Sequence, residues 1–262
     1  MVHFHIFIYL FIQIISLIYA DENNSFSSYI IIKINGTGNQ QIYNEKKNYN
    51  RYINSYQHQI PPPPNEIYIN GIIQSNITNY CFMNETENII KLVWYNPIDS
   101  CNGMFYECSN ITEIDLSHFD SSQVTLMIYM FGSCSSLQYL NLSNFETSMV
   151  TDMYAMFYNC YSLASLNISN FNTSQVINMT GMFYNCYSLT SLNLLNFNTS
   201  KVTDMSWMFI YCNSLNSLDL SNFNTSKVTD MSSMFFYCNS LNSLNLSNFN
   251  TSKVTDMSSM FF

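Results

Sequence analysis

Charge is scarce in this chain: Asp, Glu, Lys and Arg make up 10% of its 262 residues, against about 25% in ordinary soluble domains. The charge present leans acidic, with 17 acids against 8 bases and a formal net charge of −9. That balance lacks the basic footprint that a phosphate backbone requires, and it excludes nucleic acid as a partner. Glycine (6), proline (5), histidine (4) and tryptophan (2) are also thin. His3 and His5 lie in the first segment, His58 beside a proline run, and only His118 within the body of the chain. No nucleophile, base and orienting group stand together in pattern, so neither catalytic residues nor enzyme activity is expected. The cysteines form no C-x-x-C pair and have no histidine cluster near them, so no metal site and no cofactor is expected.

Long apolar runs are absent beyond the first twenty residues. Residues 4–19 are almost continuously apolar and end at Ala20, followed by Asp21-Glu22. That pattern reads as a secretory signal peptide over 1–20, with an uncleaved signal anchor as the alternative. Its apolar core is short for a span of about 20 residues. The expected location is therefore secreted or cell surface. A membrane enters only through an uncleaved signal or an anchor missing from the chain.

What the chain does hold is 20 Phe, 20 Tyr, 16 Met and 8 Cys, enough apolar surface to offset chain entropy and argue against wholesale disorder. These residues are periodic. Cys108, Cys134, Cys160, Cys186, Cys212 and Cys238 are each 26 residues apart, as are Met104, Met130, Met156, Met182, Met208, Met234 and Met260. The series beginning at Phe119 and Val124 repeat the spacing. A fixed period of this size marks a stacked array, in which a unit too small to fold alone buries its apolar face on its neighbours. Within one unit, Leu215, Leu218 and Leu220 form L-x-x-L-x-L, with the step of two expected of a strand. Met205, Met208, Phe209 and Cys212 stand at i, i+3, i+4 and i+7, which predicts one face of a short helix, capped by Thr203 or Asp204. The expected fold class is an α/β solenoid: a parallel strand ladder with about 4.8 Å between coils, short helices on the opposite side, and one strand-turn-helix unit per 26 residues.

The combination L-x-x-L-x-L-S-N-F-x-T-S-x-V-T-D-M-x-x-M-F-x-x-C, over about residues 98–262, resembles the BspA-like leucine-rich repeat surface proteins. Units of the same length also occur in a large family of unknown function. The resemblance implies a right-handed leucine-rich-repeat-like coil and a secreted or cell-surface protein, some members being implicated in adhesion. One departure stands out: Phe223 and its equivalents occupy the place where leucine-rich repeats usually carry Asn.

Composition divides the rest. Residues 21–65, with the prolines at 61–64, read as a poorly ordered lead-in, although 28–34 and 67–73 each have strand composition. Residues 66–97 read as an amino-terminal cap with Ile90 and Trp94 as its apolar plug. The array at 98–262 stops at Met260-Phe261-Phe262 in mid-unit and reads as truncated.

The cysteine column is expected to be a ladder of buried thiols acting as small hydrophobes. Cys81 and Cys101 lie outside it and are a candidate disulfide stapling the cap. Asp152, Asp204, Asp230 and Asp256, with Asn178 in series, are expected to cap helices rather than bind calcium. Sequons within the units, such as Asn172, Asn198, Asn224 and Asn250, match the needs of turns, whereas Asn35, Asn76, Asn84 and Asn110 are candidate glycosylation sites. The candidate binding face is the strand side, with Asn216, Ser217 and Asp219 and their equivalents. To these are added positions where units differ: Tyr129, Tyr139, Ala164, Thr190, Leu195 and Trp207. The expected role is non-enzymatic binding or adhesion to an unidentified protein or glycan at a cell surface. The alternatives are a structural spacer or surface-coat component without a ligand, and a fragment of a receptor ectodomain.

Overall fold

The computed structural model of the protein describes residues 28–45 and 60–261. The expected signal peptide at 1–20 lies outside the described residues. Ten strands occur among them: β1 (Ser28–Asn35), β2 (Gly38–Gln41), β3 (Glu66–Ile69), β4 (Ile72–Ile73), β5 (Tyr80–Met83), β6 (Glu87–Trp94), β7 (Ile111–Asp115), β8 (Tyr139–Asn141), β9 (Ser217–Asp219) and β10 (Ser243–Asn245). The largest sheet runs β4-β3-β6-β1-β7-β8, with β2-β5 and β9-β10 as separate pairs.

β1 is the hinge of this arrangement. Its Ile-rich sequence suits a pleated, buried surface, and Ile30, Ile32 and Ile34 are fully buried. On one side β1 pairs antiparallel with β6, setting Ile32 opposite Ile90. On the other it pairs antiparallel with β7, setting Ile32 opposite Ile114. The segment expected as a poorly ordered lead-in thus supplies the strand that joins the cap to the first repeat unit. Trp94 meets Phe119 edge-on at 5.7 Å and donates its indole N–H to the Pro62 carbonyl at 3.0 Å.

The expected fold class is corrected by two findings. No helix forms among the described residues, and the main sheet is mixed, with antiparallel pairing from β4 through β7. An α/β solenoid with short helices and a continuous parallel ladder is therefore not the fold. Parallel strand pairing is confined to β7-β8 and β9-β10, supplemented by single bridges such as Ser165 with Ser191.

The expected helix is instead a run of tight turns. Met130, Gly132 and Cys134 donate their N–H groups to the carbonyls of Met127, Tyr129 and Phe131, three residues back. Met127, Tyr129, Phe131 and Ser133 send theirs out of the unit, to Asp152, Tyr154, Met156 and Tyr158, each 25 residues on. A helix would have kept all of these bonds internal. The turns reverse through left-handed residues, Tyr129 at φ 52° and Ser133 at φ 59°. Gly103 and Gly181 occupy the Tyr129 position in their units, with φ 58° and 59°, where glycine carries no Cβ penalty. The other occupants, Ala155, Trp207, Ser233 and Ser259, include no β-branched residue, which left-handed backbone tolerates worst. Met127, Met130, Phe131 and Cys134 still point inward and are fully buried.

One continuous core runs from Ile30 in β1 to Met260. Along it runs a column of phenylalanines, buried at 105, 131, 157, 183, 209 and 235 and continued by the exposed Phe261, with centroids 5.4–6.0 Å apart and planes within 10° of parallel. No helix of the described residues is long and apolar enough to cross a membrane.

Candidate functional site

In β9 the step of two places Leu218 and the following Leu220 in the core and turns Ser217 and Asp219 outward. Asn216 is exposed just before them and donates its N–H to the Thr190 carbonyl at 3.4 Å. Thr190 is exposed too, and its hydroxyl donates to the Ala164 carbonyl at 3.3 Å. Between β8 and β9 the strand ladder thins to the single bridge of Ser165 with Ser191. There the face opens into a groove of about 480 Å³, lined by residues that include Ser165, Asn167, Ser191, Asn193, Ser217 and Asp219. Leu195 closes one side and is 54% exposed. It stands where the other units carry Ser143, Ser169, Ser221 and Ser247. Hydrogen bonds from Ser221 hold the Asp219 carboxyl below its ordinary range, so the groove carries one fixed negative charge.

The structure brings Ser217 and Asp219 together in this groove, while Asn216 and Thr190 occupy equivalent exposed positions just before the strand segment of successive units. Tyr139 is half-buried in β8, opposite Glu113 of β7. Tyr129 and Trp207 do not line the groove: both occupy left-handed positions of the turn segment. Tyr129 is 4% exposed and packs against Tyr106, Tyr154 and Tyr158. Trp207 is 39% exposed.

Asp204 does cap, but it caps a turn: its carboxylate accepts the Ser206 N–H at 2.9 Å. Asp152, Asp230 and Asp256 bind the residue two ahead in the same way, and Asn178 does so with Thr180. No group of three or more His, Cys, Asp or Glu among the described residues could hold a metal ion. The Asn side chains of the repeat sequons do turn work as well, Asn172 accepting from Ser174 and Asn198 from Ser200. Asn35, Asn76, Asn84 and Asn110 are all exposed, and Asn110 donates to Gln40.

A buried polar ladder was not read from the sequence. Thr147, Thr173, Thr199 and Thr225 are at most 2% exposed. The Thr173 hydroxyl accepts from the Asn198 N–H at 2.8 Å and donates to the Asn198 carbonyl at 3.0 Å, tying one unit to the next. The recurrence of Thr at 147, 173, 199 and 225 was its visible signal.

None of the eight cysteines is in a disulfide, so the candidate Cys81–Cys101 staple does not form. Cys134, Cys160, Cys186 and Cys212 are fully buried, and each donates to a Phe carbonyl of the preceding unit at 3.0–3.3 Å. Burial pushes these four thiols well above their usual range, aided by the neighbouring thiol of the column. Cys238, less enclosed, is pushed up to about 11. A thiol reagent at neutral pH is therefore expected to leave those four unlabelled in the folded chain and to label them after unfolding, since the thiolate is the nucleophile. Labelling of the folded protein at the rate of a free cysteine would overturn this. Unfolded thiols ionise near about pH 8.5, so the column's contribution to stability is complete below that pH and falls as pH rises above it.

A family model described as "Mycoplasma protein of unknown function, DUF285" matches residues 99–217 and, a second time, residues 188–262. No curated protein matches the chain, and no solved structure does.

Proposed function

We propose that this chain, which belongs to the repeat family described as Mycoplasma protein of unknown function, DUF285, is a non-enzymatic binding or adhesion protein working outside the cytosol. Its partner sits on the strand face. The observation that carries this reading is the groove of about 480 Å³ spanning three units, with exposed Leu195 beside Asp219 and a lining of Ser and Asn. An exposed apolar side chain among polar hydrogen-bonding groups is the pattern of a recognition site: an anchor that buries on contact, ringed by groups that fix orientation. The L-x-x-L-x-L signature supports a relationship to the BspA-like leucine-rich repeat surface proteins. The apolar leader at 4–19 supports export.

The test is binding of the full chain to cell layers and matrix proteins. Leu195→Ser, which restores the residue of the other units, and Asp219→Asn are expected to weaken binding by about tenfold or more. Both are exposed, so thermal stability should stay within a few tenths of a kcal/mol of the parent. Binding that survives both substitutions would favour a spacer whose value is its length.

A further inference from the structure

The turn side of the array carries a second surface that the strand face does not use. Residues 154–162, 180–188, 206–214 and 232–240 contain no charged side chain, in a chain whose net charge is −9. They contain a line of aromatic rings instead. Tyr161 lies 6.3 Å from Tyr187, Tyr187 lies 6.4 Å from Tyr211 with planes within 5°, and Tyr211 lies 5.2 Å from Tyr237. Tyr158 and Tyr184, stacked at 4.8 Å, flank this line, and Tyr184 reaches Tyr211 at 6.2 Å.

The line is continuous although the residues that carry it change position. Two units read Tyr-Asn-Cys-Tyr, at 158–161 and 184–187. The next two read Ile-Tyr-Cys-Asn and Phe-Tyr-Cys-Asn, at 210–213 and 236–239. The outer tyrosine of the first pair gives way to Asn in the second, while the inner Asn gives way to Tyr. Tyr187 and Tyr211, on either side of that exchange, stack on each other. Packing of the core does not require this, because Tyr161 and Tyr187 are 39% and 43% exposed.

We propose that this strip is a docking surface for a neutral glycan chain lying along the array. Tyrosine offers a rigid ring whose negative face and positive edge meet sugar C–H and O–H groups. It loses little entropy on contact, with adaptable Asn and Ser beside it. Burial raises the Tyr158 and Tyr184 phenols above their ordinary range, so these two hydroxyls remain donors beside the line. Segments that carry no charge of their own offer no ion pair to a sulfated, phosphorylated or basic partner, whereas an uncharged chain of hydroxyls matches their rings and amides. The successive rings give a polymer several equivalent contacts, which raises avidity without any one being strong.

The experiment titrates the full chain with cellohexaose, chitohexaose and maltohexaose, and with a sulfated heparin hexasaccharide and a proline-rich peptide as the competing chemistries. Binding of at least one neutral hexasaccharide is expected, with perturbed ring signals of Tyr187 and Tyr211 in NMR spectra. Tyr187→Ala with Tyr211→Ala should weaken it by about tenfold or more, and Leu195→Ser should leave it unchanged. The ring signals of the unsubstituted chain report the site even if the double variant unfolds. No neutral hexasaccharide binding at millimolar concentration, or preferential binding of the sulfated sugar or the peptide, would overturn the proposal. So would loss of binding in Leu195→Ser, which would place the sugar on the strand face.

Discussion

Phe183→Ala is expected to lower the unfolding free energy by about 3–5 kcal/mol, the upper range for a large-to-small core change. Phe183 is fully buried, with Phe157 and Phe209 stacked on its two faces at 5.6 Å each. Removing the ring forfeits both stacks as well as the transferred area. The void cannot close easily, because each layer is fixed to the next by the backbone: Phe183 donates its N–H to Met208 at 3.0 Å, and Phe157 donates to Met182 at 2.9 Å. Urea denaturation gives the measurement, read as a lower midpoint at unchanged slope. A loss below about 1 kcal/mol would show that the layers can slide together and that the column is not rigid.

Thr173→Val should be nearly as damaging, at about 2–4 kcal/mol, although it preserves shape. The hydroxyl serves both backbone groups of Asn198. Valine leaves a partly enclosed N–H and carbonyl without partners, at about 1–3 kcal/mol for each one deprived of water. Thr173→Ser keeps the hydroxyl and isolates the methyl contribution, so it is expected to retain most of the stability. If valine proves neutral by denaturation, water reaches Asn198 and the ladder is not an interunit lock.

These two residues show where the sequence was legible and where it was not. The 26-residue period, the inward Phe, Met, Cys and Leu columns and the outward Ser217 and Asp219 follow from spacing alone. Spacing at i, i+3, i+4 and i+7 does not distinguish a helix from a run of turns that points the same residues inward, as Met127, Met130, Phe131 and Cys134 demonstrate. The deciding quantity is where the N–H groups go, and their acceptors lie 25 residues away in another unit. Glycine at 103 and 181 and Asn at 159 and 185 were the local hints, since these residues tolerate left-handed backbone best. Within the candidate site, Ser217 and Asp219 were identified from alternation. The groove itself arises from thinning of the strand pairing around Ser165 and Ser191, which no single unit encodes. β1 escaped the domain division because its partners, β6 and β7, lie more than fifty residues beyond it in sequence.

The turn segments also give the array an electrical direction. In each inner unit four amides, such as those of Met127, Tyr129, Phe131 and Ser133, aim their hydrogens toward the following unit, and the matching carbonyls aim back. An ordinary strand alternates these directions and cancels them. Here the opposing contributions are fewer, including the Thr151 to Thr125 and Thr203 to Ile177 bonds. Aligned peptide dipoles add as they do along a helix, so the stack is polarised lengthwise, its hydrogen-bearing side toward later units. Charges placed along the array therefore experience a field set by backbone geometry that would remain if every ionisable side chain were removed.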